Sequence, residues 1–237
     1  MSSGGRAGAL AGVDGCRGGW LVVRVPLGEE QPRAVLLADV ADLLLAADAP
    51  LLTAIDMPIG LPDAGARPCD RQARRLLGPG RGSSVFPAPI RPMLAAASQA
   101  EASAIGRRID GRGLPIQAWN LMPRIRALDA LLALNPAVAA RLREAHPELI
   151  FRLWGGRPLG WAKRRPEGRA ERLALVEARW PGAWARCRAG LPRGGWADDD
   201  LLDAFACLHA AQRISGGDAT VLGGEKDGCG RVMEICA

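Results

Sequence analysis

Residues 11–25, AGVDGCRGGWLVVRV, put one carboxylate, Asp14, at the end of a short apolar run, ahead of a glycine-broken turn and a second apolar run. Residues 9–14 have the length of a buried strand, Gly15 to Gly19 suit a turn, and WLVVRVPL (20–27) continues as a second strand. RAVLLADV (33–40) is a third run of strand length, after which Asp39 or Asp42 is placed to cap a short helix through ADLLLAAD. LLTAIDMPIG (51–60) predicts a fourth strand that ends in another aspartate, Asp56, before a proline and a glycine stop it. Two apolar strands therefore each carry an acid at the C-terminal end, the edge where open α/β sheets bind their ligands. Taken alone, Asp14 either caps a turn or faces a cleft and holds something charged.

The 237 residues are enough for one sizeable α/β domain, or for a domain with a substantial insertion. No apolar run of about 18 residues predicts a membrane span, and the start, MSSGGRAGAL, lacks the apolar stretch of a signal peptide, so a soluble cytoplasmic protein with no membrane partner is expected. The six cysteines are scattered and form no Cys-x-x-Cys pair, which argues against a zinc site or a disulfide framework. With His146 and His209 the only histidines, any metal would be held by carboxylates, and that favours magnesium or manganese. A net charge of +6 permits a phosphate-rich partner. Lys163 and Lys226 are the only lysines among 31 basic residues, so each is informative against a background that plainly chooses arginine.

Residues 61–92 are rich in Pro, Gly, Arg and Ser, with a short basic helix near CDRQARRLLG and a loop, RGSSVFPAPIRP. Helical stretches are expected at about 93–108 and 118–134, and Pro136 is placed to open another helix through Arg143. EAHPELIFRLWGG (144–156) reads as a fifth strand with Glu148 inside it. A helix over 166–180 and a Gly/Pro-rich loop come next, and then DDDLLDAFACLHAAQRI (198–214), a helix opened by acids that suit its dipole. No repeat or linker divides the chain, so a single domain over 1–237 with a mainly helical insertion at about 61–143 is expected.

On that last helix Asp200 and Asp203 are three residues apart and share a face, while Leu201, Leu202 and Phe205 bury the adjacent one. Acids buried together repel unless a proton or a cation neutralises them, and a divalent cation suits that place. Singly, Asp198 to Asp200 read equally well as a helix cap and Asp56 as a loop cap. Jointly, acids at two strand ends and on one late helix make a sharper pattern.

That pattern resembles the ribonuclease H-like fold. The stretches GVDGCRGGW, AIDMPIGLPD, CDRQARRLLG, SSVFPAP, QAWNLMPRIRALDALL, HPELIF, GGRPL and DDLLDA are similar, together, to those of an uncharacterised bacterial and archaeal family described as predicted ribonuclease H-like nucleases. The likeness runs from about residue 10 to 236, and the Asp-Leu-Leu-Asp-Ala end is also similar to that of RuvC-type junction resolvases. One departure is Ile116, where a serine is more usual. The resemblance implies a five-stranded mixed sheet in the order 3-2-1-4-5, with strands 1 and 4 parallel and helices on both faces. It implies Asp14, Asp56, Asp200 and Asp203 as catalytic metal ligands for Mg2+ or Mn2+, and a nuclease acting on DNA or RNA.

Around this set, Glu148 either completes the site or receives an arginine. His146, with a proline after it, reads as structural rather than as a general base. Lys163 offers a compact ammonium for a phosphate, against the plainer reading of a solvated loop charge. Arg71, Arg74 and Arg81 flank the loop after Asp56 and are candidates to hold phosphates or the adjacent acids, and Gly15 with Gly18 and Gly19 permits close backbone approach to a phosphate. Two competing readings stay open. One is a kinase or ATPase-like phosphoryl-transfer protein of the same fold, normally a duplicated domain for which 237 residues are short. The other is a non-catalytic protein that binds nucleic acid or a partner through a degenerate site.

Overall fold

The computed structural model describes residues 8–237; residues 1–7, on which the expectation of no signal peptide partly rests, lie outside the described residues. The chain begins with β1 (Ala9–Cys16), β2 (Gly19–Pro26), β3 (Arg33–Leu37), α1 (Ala41–Leu44) and β4 (Leu52–Ile55). Next come α2 (Pro68–Leu77), α3 (Gln99–Asp110), α4 (Ile116–Leu134), α5 (Pro136–Ala139) and β5 (Leu142–Glu144). The chain then forms α6 (Pro147–Trp154), α7 (Pro166–Arg179), α8 (Ala183–Gly190), α9 (Asp198–Gly216), β6 (Val221–Lys226) and β7 (Val232–Cys236). These divide into two compact units, one made of the residues through Met57 with Ala137–Thr220 and Cys236–Ala237, the other of Pro58–Pro136 with Val221–Ile235.

The first unit is built on a five-stranded mixed sheet in the order β3-β2-β1-β4-β5. β1 pairs antiparallel with β2 and β2 with β3, whereas β1 with β4 and β4 with β5 are parallel. The expected order and the adjacency of the strands bearing Asp14 and Asp56 are thus observed. Helix α9 lies against β1, β2 and β4. Leu201, Leu202, Phe205 and Leu208 of that helix are fully buried, as are Val13, Leu21, Val23 and Ile55 of the strands. Gly12 sets the closeness of this packing. A Cβ added there would stand 2.0 Å from the Leu208 nitrogen and 2.2 Å from the Ala204 carbonyl oxygen, so β1 and α9 meet backbone to backbone.

Trp154 of α6 stacks on His209 of α9 with ring centroids 3.9 Å apart and meets Trp180 edge-on at 5.8 Å. Burial, helped by Arg213 and Arg179, pushes the His209 pKa down to about 4 and keeps the ring neutral.

Three expectations are corrected. The stretch 144–156 is not a strand: β5 is only Leu142–Glu144, and Glu148 sits in the first turn of α6. Pro147 decides this, because its missing N–H and fixed φ suit the first turn of a helix, and the His146 ring caps it by accepting the Leu149 N–H. The helix expected from Pro136 through Arg143 stops at Ala139 and gives way to β5. The Gly/Pro-rich loop after residue 180 contains a further helix, α8.

The second unit is mostly helical. Its core holds Ile90, Met93, Ala96, Ala102, Leu114, Ala118 and Met122, and β6 and β7 form a two-stranded ribbon, with α2 packed on β6. Asp227 ties its turns together by accepting the N–H groups of Leu61, Cys229 and Arg231, each at 2.9 Å, and the Arg91 guanidinium at 2.6 Å. Asp70 is buried against Arg67 at 2.5 Å.

One side chain on β4 is out of place energetically. Thr53 is fully buried, and its hydroxyl has no hydrogen-bond partner. Thr53→Val keeps the shape and removes the stranded hydroxyl, so it is expected to stabilise the fold by about 1 kcal/mol. A rise in the urea midpoint at unchanged slope is the expected readout.

Candidate active site

Asp14 is on β1 opposite Leu21, beyond the last residue pair, Val13 with Ile55, that β1 shares with β4. Asp56 follows β4 directly and donates its backbone N–H to the Val13 carbonyl at 3.0 Å. Parallel register therefore brings the two acids to the same edge of adjacent strands. α9 adds Asp203, which is buried, from above the Gly12 contact.

The charges are visibly unbalanced. Burial pushes the Asp14 carboxyl well above its ordinary value, and the fields of Asp203, Asp56 and Asp200 push the same way against Lys163. Asp56 is pushed up to about 6 by burial, with Glu148 adding to it and Lys163 opposing. Asp203 is also pushed up to about 6, burial and the fields of Asp56 and Glu148 outweighing its bond to Lys163. These are the signs of carboxylates held together with too little positive charge. The Asp203 Oδ2 atom accepts the Lys163 ammonium at 2.6 Å, while its Oδ1 atom is buried with no partner at all.

Asp200 and Asp203 share a helix face, as their spacing predicts, but do different work. Asp200 accepts the Ala197 N–H at 2.8 Å and so caps α9, while its charge still reaches Asp14. Glu148 receives an arginine: Arg172 donates to its Oε1 atom from two nitrogens, at 2.5 and 3.2 Å. It nevertheless acts electrostatically on both Asp56 and Asp203. Burial would lower the Lys163 pKa, but Asp203, Asp14 and Asp56 outweigh it and raise it above the ordinary lysine value. The ammonium stays charged.

Other candidates are placed differently. Arg71, Arg74 and Arg81 belong to the second unit. Arg71 donates to the Ala66 carbonyl, and Arg74 to that of Val85 at 2.8 and 3.0 Å. Arg81 precedes the 3-10 turn Gly82–Ser84, where its carbonyl accepts the Ser84 hydroxyl. Gly15 is within the β1 ladder opposite Trp20, so the turn is shorter than expected, and the Gly18 N–H is bonded to the Gly195 carbonyl at 2.5 Å. That bond fixes the β1–β2 turn to the segment leading into α9.

Sequence reasoning missed Arg172, Gly12 and Gly168. Arg172 is 1% exposed, yet nothing in an arginine-rich chain singles it out. Cys207, on α9, is buried, and its thiol is raised well above the ordinary value by burial and by the fields of Asp56, Asp14 and Asp203, which disfavours the thiolate.

Residues 12–227 match the profile of a family described as protein of unknown function, DUF429. The chain belongs to this family. No curated protein and no solved structure matches the chain. The DUF429 match spans all the acids of the site, from Asp14 to Asp203, together with Glu148, Lys163 and Arg172. Among the described residues, no group of three or more His, Cys, Asp or Glu side chains stands arranged to hold a metal ion, and no helix is long and apolar enough to cross a membrane.

Proposed function

We propose that this DUF429 chain is a ribonuclease H-like nuclease, hydrolysing phosphodiester bonds in DNA or RNA with Mg2+ or Mn2+ held by Asp14, Asp56 and Asp203, and Asp200 beside Asp14. The sheet order and the acids at the ends of β1 and β4 and on α9 support the fold assignment. The observation that carries the functional reading is the Asp203 carboxylate, buried, with one oxygen on an ammonium and the other on nothing. A buried acceptor without a partner costs roughly 1–3 kcal/mol, more when charged, and a bound cation would supply the partner this oxygen lacks.

The donor set fits such an ion. All its atoms are hard carboxylate oxygens, the preferred ligands of magnesium and manganese. With Asp200 counted, four carboxylates outweigh the Lys163 ammonium, and a divalent ion reduces the negative excess. When bound, the ion supplies a water of lowered pKa and positive charge for the leaving oxygen. The chain's own residues do the rest. The β1–β4 register fixes Asp14 and Asp56 at one edge of the sheet, Asp203 presents its uncommitted oxygen, and Glu148, pinned by Arg172, adds negative potential that strengthens cation binding.

Cleavage of a labelled oligonucleotide only with Mg2+ or Mn2+, lost in Asp14→Asn and Asp203→Asn, is the expected result. Affinity for the strand should fall steeply with salt, since basic residues would release counterions from phosphates. Turnover of ATP with no effect on oligonucleotides would replace this reading by the kinase-like one, and inertness toward both by the binding-protein one.

A further inference from the structure

Lys163 is held too deliberately for a loop charge. Its Nζ atom is 2.6 Å from the Asp203 Oδ2 atom, and it feels Asp14 and Asp56 as well. The loop carrying it is packed onto the start of α7, where a Cβ at Gly168 would stand 2.1 Å from the Ala162 carbonyl oxygen and 2.8 Å from that of Trp161. Arg172, also on α7, donates to the Gly168 carbonyl at 2.6 Å and to the Trp161 carbonyl at 3.4 Å. The same guanidinium grips Glu148. One buried arginine therefore fixes both the lysine loop and the acid that faces Asp56 and Asp203. In a chain whose basic residues are otherwise nearly all arginine, a lysine at this point is a compact single positive charge set against that background.

We propose that Lys163 stands in place of a second metal ion: the carboxylates take one divalent ion, and the ammonium, remaining on the Asp203 Oδ2 atom, is the site's second positive centre. This rests on the metal-dependent reading above. Sites that use two metals place them about 3.5–4 Å apart to support the attacking and the leaving oxygen. Here a second divalent ion would have to share Asp203 with an ammonium already at hydrogen-bond distance, and would bring its charge against that ammonium. The tethered charge costs the protein no metal and leaves a single exchangeable ion.

Calorimetric titration of the full chain with MnCl2, together with electron paramagnetic resonance of the bound ion, tests this. Wild type is expected to take one Mn2+ per chain, with the spectrum of an isolated ion. Lys163→Met, which keeps length and removes charge, should take two and show the broadening of a coupled pair, while Lys163→Arg should still take one. Two ions in wild type would overturn the proposal and leave the nuclease reading intact, and this holds even if Lys163→Met does not fold. One ion in a folded Lys163→Met, or two in Lys163→Arg, would overturn it as well. No Mn2+ in wild type would remove the metal-dependent reading itself.

Discussion

Asp56→Asn is expected to make the protein more stable and inactive at once. The Asp56 carboxyl has a folded pKa of about 6 against an ordinary 3.8, so the folded state binds the proton more tightly than the unfolded state does. Its stabilising contribution is full below about pH 4 and is lost as pH rises through about 6. At neutral pH the ionised group is therefore a burden, of order 3 kcal/mol from the size of the shift. Asparagine carries no such charge. After the cost of burying its amide, a gain of roughly 2 kcal/mol, or about 5 °C in Tm, is expected at pH 7.5. Near pH 4 the variant and wild type should melt together.

His209 titrates in the opposite sense. Its lowered pKa contributes stability above about 6.5 that is lost as pH falls through about 4, so wild type alone gives a flattened profile and only the difference between the two proteins isolates Asp56. In the proposed reaction the same substitution removes a metal ligand, and cleavage should drop about a thousandfold or more. Saturating Mn2+ should then raise the Tm of wild type well above that of the variant, reversing their order. Equal melting temperatures at pH 7.5 without metal would contradict the crowding of negative charge on which the site is argued.

Gly12→Ala is expected to be among the most damaging single substitutions in the chain. In an ordinary strand, alanine for glycine is mildly stabilising because it restricts the unfolded chain. Here the new methyl would overlap the Leu208 nitrogen, the Ala204 oxygen and the Cys207 carbonyl carbon, at 2.0, 2.2 and 2.6 Å. All three are backbone atoms of α9, so no rotamer change relieves the overlap, and the helix itself has to move off the sheet. A loss of about 3–4 kcal/mol in denaturant unfolding is expected. Because β1 carries Asp14 and α9 carries Asp203, the molecules that still fold should bind Mn2+ more weakly. A variant with unchanged stability would mean that α9 does not rest directly on the β1 backbone.

The glycine shows what a sequence does and does not reveal. Asp14 and Asp56 were legible because each ends an apolar run, and the length of a strand puts such a residue at the sheet edge without knowledge of anything distant. Asp203 was legible for a related reason, three residues beyond Asp200 on a helix with a well-marked apolar face. Gly12 was silent: a lone glycine in an apolar strand signals close approach in general, but not by which element. Glu148 was placed on the wrong kind of element because an apolar run of strand length does not distinguish a strand from a buried helix turn, and the proline at 147 was the deciding mark. Arg172 was hidden by numbers, one buried guanidinium in a chain of arginines. The bond between Lys163 and Asp203 spans 40 residues, and no local pattern encodes such a contact. The rarity of lysine was its only trace.

The most direct test of the site is a crystal of the chain soaked in MnCl2 and measured at the manganese absorption edge. The account predicts one anomalous peak at ligand distance, about 2.1 Å, from oxygens of Asp14 and Asp56 and from the Asp203 Oδ1 atom, with the Lys163 ammonium still on the Oδ2 atom. Saturated crystals with no peak among these carboxylates would contradict it.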